Sequence, residues 1–397
     1  MDQLGLHTMS QNDSYIDEDG RDAGPLAAYI HVPFCGHRCG YCSFSVVASR
    51  DDLIEDFLRA LATELSWLKE PKEVGTIYIG GGTPSRLGAG QWTAMTELLS
   101  RWFPLEPGGE FSMEANPEDV TLERLEMWRK GGVNRLSLGV QSIDDAKLKF
   151  LERSHREQHI RECVDLVQPR IPNFSLDLMF GVEDESLSVW KVDLEFAVES
   201  GAKHVSTYGL TYEKGTRFWN TLQRGDVALV CEDLDRQMYE TAIDTLRPAG
   251  FEHYEVSNFA RPGFRCCHNE KYWLGGEYFA AGPGAARFVA GRREVNHRST
   301  FTYLKKVLAG QSPVMESEKL DPLNQARERL VFGLRRLEGV DADEFVSRIG
   351  VTVEELAGAS LARFVDQGLL VWKDRRIRLT RDGLLVSDAI WPHLLVP

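Results

Sequence analysis

YIHVPFCGHRCGYCSF, residues Tyr29 to Phe44, carries Cys35, Cys39 and Cys42 on one short loop behind an apolar, strand-like run. No fourth cysteine stands at a matching spacing. Soft thiolates suit iron–sulfur centres, and three of them hold three irons of a 4Fe–4S cluster while the fourth iron stays open. An open iron beside a bound small molecule is a place for one-electron chemistry as well as electron storage. Structural zinc competes with this reading, but it takes a closed set of four ligands, often as two C-x2-C pairs, and the second pair is missing. Scattered buried cysteines are the other alternative.

Outward from this loop, short apolar runs alternate with amphipathic ones. AAYIHV, GTIYIGGG, EFSMEANP, NRLSLGVQS, SLDLMFGV and HVSTYGLTY read as strands. Helical spacing appears over 52–67, 91–102, 122–130, 144–151 and 187–199. Repeating β-α units imply a parallel sheet covered by helices. About six fit before Phe251, which predicts a full or partial α/β barrel with its chemistry at the carboxyl ends of the strands. The cysteines, Gly80 to Thr83, Glu114, Gln141 and Asp177 all fall at or near those ends. The tail differs. Residues 322–337, 343–349 and 356–367 read as helices, LLVWKDRRIRLT as a hairpin turning at 374–376, and 383–390 as a last short helix, together a small winged-helix-like α+β domain. The expected organisation is an acidic disordered leader over 1–24, the barrel over 25–250, a connecting region over 251–314 and the tail domain over 315–397.

The 397 residues allow two or three domains, with 43% hydrophobic and 27% charged residues as in ordinary globular chains. A net charge of −14 argues against a general nucleic-acid binder. The wing residues Lys373, Arg375, Arg376 and Arg378 read as a solvated face. No apolar run reaches the roughly 18 residues of a membrane span. With no signal-peptide pattern, the expected compartment is the cytoplasm. The seven cysteines form no secreted disulfide framework.

YIHVPFC, GGGTPS, EANPE, LSLGVQS, the L-x-R-x-H of Leu151, Arg153 and His155, and DLMFG occur in this order. Together they resemble the radical S-adenosylmethionine superfamily, and within it the branch of oxygen-independent coproporphyrinogen oxidase and the HemW-type haem chaperones. The resemblance covers roughly residues 25–397. It implies a 4Fe–4S cluster on Cys35, Cys39 and Cys42, with S-adenosylmethionine on the open iron. Gly81, Gly82 and Thr83 then take its amino-acid part, since glycine lets backbone approach a ligand closely. Glu114 accepts from the ribose or the ammonium, Gln141 and Asp177 contact the ribose, and Arg153 pairs with the carboxylate. Tyr29 sits on the strand leading to the cluster, and Tyr41 faces the adenine. Plain core is the alternative for both tyrosines.

HNEKYW, His268 to Trp273, resembles the H-N-x-x-Y-W of the chaperones. His268 offers an imidazole, a common axial ligand for haem iron. Tyr272 shares its helical face, and Trp273 adds a flat surface for a porphyrin. The competing reading is a packed aromatic corner. The oxidases carry a further cysteine two places after the triad, where this chain has Phe44, and a long N-terminal extension is not evident. Two places depart from the pattern: Ala286 and Arg287 replace the usual His-Ser, and Val182 to Asp184 replace a proline-glycine turn. The leading expectation is a haem carrier with haem as ligand and a haem-accepting protein as partner. A membrane-protein acceptor and a homodimer are compatible with it, and nucleic acid is not expected. The alternative is a radical oxidase acting on porphyrinogen propionates. Whether the chain is an enzyme stays open, with the balance toward a carrier.

Overall fold

A computed structural model describes residues 27–396; the expected leader lies outside them. Strands β1 (Ala27–Val32), β2 (Val74–Gly81), β3 (Leu105–Ala115), β4 (Arg135–Gln141), β5 (Phe174–Phe180) and β6 (His204–Gly209) pair in sequence order, all parallel. Parallel neighbours need crossovers, and helices supply them: Ile54–Ser66, Ala89–Trp102, Leu122–Lys130, Glu157–Val167 and Leu187–Glu199. Each buries one apolar stripe. Ile54, Phe57, Leu58, Leu61 and Leu65 do so in the first, whose opening turn carries Glu55 and Asp56 against the helix dipole. Two-sided coverage explains why β1 is buried at Ala27, Ala28, Ile30 and Val32 rather than at alternate positions.

Three further strands extend the sheet: β7 (Glu252–Glu255), β8 (Asn258–Ala260) and β9 (Phe279–Ala281). The full order is β9-β1-β2-β3-β4-β5-β6-β8-β7, with β9 parallel to β1 and the β7-β8 hairpin antiparallel beyond β6. The edges β9 and β7 do not pair, so the barrel is partial. The stretch expected as a connection therefore supplies strands at both edges. After it come the antiparallel strands Ala286–Val289, Arg292–Asn296 and Val314–Lys319.

The tail packs helices Pro322–Arg335, Ala342–Ile349, Val353–Asp366 and Ser387–Leu395 around its own core of Leu330, Leu334, Leu361, Phe364, Ile377 and Leu394. Its wing pairs Leu370–Lys373 with Arg376–Leu379. Asp374 and Arg375 both have positive φ at the tip, the backbone a two-residue hairpin turn needs. Arg375 and Arg376 pair with Asp343 and Asp341. No helix among the described residues is long and apolar enough to cross a membrane.

Candidate functional site

The cysteine loop leaves the carboxyl end of β1 and is fastened to the glycine turn after β2. Gly82 N–H donates to Val32 O at 2.7 Å, and Thr83 N–H to Phe34 O at 2.7 Å. A Cβ on Gly82 would lie 2.7 Å from Val32 O and 2.8 Å from Phe34 O, and Gly81 adopts φ +104°. Contact between two protein segments thus demands these glycines, apart from any approach of a ligand. Thr83 Oγ1 donates to Cys35 Sγ at 3.4 Å. Gly40, between Cys39 and Cys42, donates its N–H to Glu152 at 2.7 Å and accepts from Phe218 N–H at 2.9 Å.

Burial pushes the Cys35 thiol up to about 11 and raises Cys42, and the neighbouring cysteines add to both shifts. Such thiols become thiolates when a strong cation binds. No three His, Cys, Asp or Glu side chains among the described residues converge as one metal ion would require. Three thiols without a fourth ligand fall short of the closed set of four that structural zinc takes. They fit a cubane, which takes each thiolate on a different iron.

Around the loop stand the other expected residues. Arg153 Nη1 reaches Cys39 Sγ at 3.8 Å, while Nη2 donates to Asn116 Oδ1 at 2.6 Å and Gly139 O at 3.0 Å. Its Nε is buried and has no partner among the described residues, which suits a carboxylate ligand. A Cβ on Gly139 would approach Gln141 Nε2, Arg153 Nη2 and Asn116 Oδ1 within 3.3–3.4 Å, so these three polar groups gather at one place. Gln141 closes β4 with φ +67°. Glu114 accepts from Gly81 N–H at 2.9 Å and Tyr78 Oη at 3.1 Å, and burial raises its carboxyl to about 7. Tyr29 Oη bonds His31 Nδ1 at 3.1 Å.

Asp177 and Tyr41 are each engaged by other groups of the protein. Asp177 lies in the middle of β5, not at its end, and accepts from Ser137 Oγ at 3.1 and 2.9 Å. Its lone pairs already serve the barrel interior, because a buried carboxylate takes whatever hydroxyls the adjacent strand offers. Tyr41 packs with Leu151, Met179 and Val182, its ring 6.0 Å from Phe218, while its hydroxyl interacts with Cys39 and Arg153.

HNEKYW forms the helix Cys267–Trp273. Glu110 on β3 holds its first turn, accepting from Cys267 N–H at 2.9 Å and His268 N–H at 3.2 Å. The buried His268 ring is bonded on both sides, Nδ1 to Thr76 Oγ1 at 2.9 Å and Nε2 to Tyr272 Oη at 2.8 Å. Both ring nitrogens are thus engaged, Nε2 by the i,i+4 tyrosine. Burial lowers the imidazole to about 3, which keeps it neutral and able to accept. Trp273 faces Phe332 and carries the Arg335 guanidinium 4.5 Å over its ring, while its buried Nε1 has no partner among the described residues.

Tyr29, Glu114, His268, Tyr272 and Trp273 line one cavity of about 750 Å³, within the roughly 300–1,000 Å³ of ligand sites, whereas the three cysteines, Gly81 to Thr83, Gln141 and Arg153 lie outside its lining. Tyr29, Tyr78 and Glu114 come from the barrel, His268, Tyr272 and Trp273 from the HNEKYW helix, Phe44 from the cysteine loop and Phe332 from the tail. Tyr29 and Tyr78 stack at 6.2 Å, and His268 lies 5.1 Å from Tyr78. Ala286 lines the cavity, whereas Arg287 turns away to Glu294.

Asn116, Glu118, His155, Thr76 and Glu110 went unassigned in the sequence. The first three lie inside EANPE and L-x-R-x-H, so the motif pair was a signal for them. His155 Nδ1 meets Glu118 at 2.9 Å, Nε2 meets Val140 O at 2.9 Å, and Ser154 Oγ donates to Glu118 at 2.5 Å. The two motifs form one clamp on either side of Arg153. Thr76 and Glu110 carried no signal, being strand residues distant in sequence from the helix they hold.

A three-cysteine loop at the head of an open parallel sheet, with a small helical domain over its mouth, defines a radical S-adenosylmethionine protein. Residues 29–197 match the Radical SAM superfamily and residues 320–386 the HemN C-terminal domain. The chain is 35% identical over 373 residues to "Heme chaperone HemW" of Lactococcus lactis, covering 94% of this chain and 98% of that one. It is 32% identical over 408 residues to the mitochondrial radical S-adenosyl methionine domain-containing protein 1 of Bos taurus, covering 98% and 92%. The chain belongs to the HemW family of the radical S-adenosylmethionine superfamily. In fold it is similar to the coproporphyrinogen III oxidase HemN of Escherichia coli, with TM-score 0.82 at 20% identity over 94% of this chain and 90% of that one.

Proposed function

We propose that this chain is a haem carrier that takes haem into the aromatic cavity and hands it to an acceptor protein. Cys35, Cys39 and Cys42 would hold a 4Fe–4S cluster, with S-adenosylmethionine between Gly81, Gly82, Thr83, Gln141 and Arg153. The observation that carries the reading is that HNEKYW and the cysteine loop line one cavity, at whose mouth the apolar Phe44 stands two places after Cys42. When bound, the cluster supplies one-electron chemistry and an open coordination position. The rest falls to the chain's own side chains. Thr76 accepts the Nδ1 proton of His268, which leaves Nε2 as the acceptor and future ligand atom. Tyr272 Oη donates to that nitrogen and would have to release it for His268 to hold haem. Tyr29, Tyr78 and Trp273 present flat apolar surface and exclude water.

The test is anaerobic reconstitution followed by two assays on one preparation: haem titration by absorbance, and coproporphyrinogen conversion with S-adenosylmethionine and reductant. Stoichiometric haem binding that is lost in His268→Ala, without conversion, supports the carrier. Conversion that depends on the three cysteines makes the chain an oxidase and leaves HNEKYW as a structural corner.

A further inference from the structure

We propose that Arg298 and Phe44 form an acid-recognising rim of the cavity that grips a carboxylate on the edge of its flat ligand; this rests on the haem reading above. Arg298 precedes Ser299, the cap of helix Thr300–Leu308. Its guanidinium is laid along the cysteine loop, Nη2 donating to Ser43 O at 2.7 Å and Nε to Ser45 Oγ at 3.4 Å. Those two serines flank Phe44, which is 58% exposed, an unusual state for phenylalanine. Phe44, Ser45 and Arg298 all line the cavity.

The charge balance singles out this corner. Arg293, on the same cavity, is neutralised by both oxygens of Glu328, at 3.0 and 2.5 Å. Arg298 has only neutral acceptors, and no carboxylate among the described residues pairs with it. Its Nη1 is left for a ligand. Gly284 makes the approach feasible, because a Cβ there would strike Ser45 and lie 3.7 Å from Arg298 Cα.

A guanidinium fork suits a carboxylate, and an exposed aromatic beside it suits an apolar plane. Together they select an amphiphilic acid, a flat apolar body with ionised carboxylates on one edge. Haem, with its two propionates, is such a molecule, and its dimethyl ester has the same plane without the charge.

The experiment titrates the full-length chain with ferric haem and with haem dimethyl ester, by absorbance in one detergent buffer. Wild type, Arg298→Gln and Arg298→Lys are compared. Wild type is expected to prefer the acid over the ester by roughly 3–10-fold, the range of a partly exposed charge-assisted contact. Arg298→Gln should lose that preference by weakening haem alone, and Arg298→Lys should keep part of it. Haem binding with an unchanged acid-to-ester ratio in Arg298→Gln overturns the rim, whether both affinities fall or neither does. Wild type that binds neither compound overturns the haem reading and the rim with it.

Discussion

Replacing Glu118 with alanine removes the outer half of the clamp that aims Arg153. Burial alone would raise this carboxyl, but the bonds from His155 at 2.9 Å and Ser154 at 2.5 Å outweigh it and hold the group at about 2. Relative to the ordinary 4.5, that corresponds to roughly 3 kcal/mol favouring the folded carboxylate at neutral pH. Glu118 is partly exposed, with 29% of its side chain open to solvent, and screening reduces this to about 2 kcal/mol. His155 is fully buried and would keep an Nδ1 without its partner, a loss of the same order. The expected result is at least about 2 kcal/mol less local stability over residues 151–156, or amide exchange at least roughly 30-fold faster there by mass spectrometry at pH 7. β1 and β2 should be unchanged. The sign with pH follows from a depressed carboxylate: its contribution is complete above 4.5 and is lost as pH falls through about 2, so wild type and variant must converge in acid. S-adenosylmethionine should bind more weakly to the reconstituted variant, and Glu118→Ala/Arg153→Ala should bind it no more weakly than Arg153→Ala alone. Exchange accelerated less than about 3-fold, or additive losses in the double variant, would refute the clamp.

Tyr272→Phe frees His268 Nε2 from a 2.8 Å hydrogen bond, and haem titration should show affinity raised roughly 2–10-fold; an unchanged or lower affinity counts against Nε2 as the ligand atom. Gly82→Ala places a methyl within 2.7–2.9 Å of three backbone atoms at the end of β1 and the start of the cysteine loop, a strain of about 1–3 kcal/mol or more. Iron and sulfide per chain after reconstitution should fall below about half of wild type, and full loading would contradict this account. Lys147→Met leaves Glu185 and Asp193 buried without the ammonium that sits 2.5 and 2.9 Å from them, at about 3–5 kcal/mol. Burial already raises Glu185, and losing Lys147 raises it further. The folded variant then holds a proton that the unfolded chain releases, so its deficit in urea unfolding should shrink as pH falls from neutral toward the ordinary carboxylate range. A deficit that grows on acidification would reject the argument.

Much of this protein is local in sequence. The C-x3-C-x2-C loop fits on one turn, so its spacing alone proposes the cluster. The order of β-α units is legible because parallel strands require crossover helices, each announcing itself by period. Even the wing turn at Asp374 and Arg375 is visible between two apolar runs. The helix Glu157–Val167 escaped notice because its apolar positions, Ile160, Cys163, Val164 and Val167, sit among many charges. β9 escaped because a three-residue strand has no period to read, and only β1 beside it makes it a strand.

The sequence by itself determined which residues could do chemistry: three thiols, a glycine turn, an arginine and the His268–Tyr272 pair four residues apart. Tertiary structure alone decided how those groups are engaged. Asp177 is turned inward by serines on neighbouring strands, and His268 is closed by Thr76 from 192 residues away. The GGG turn serves the cysteine loop, and Phe332 of the tail helps to wall the cavity. The physical reason is that burial, hydrogen-bond satisfaction and charge balance are properties of neighbours in space. A spacing rule reports only neighbours along the chain.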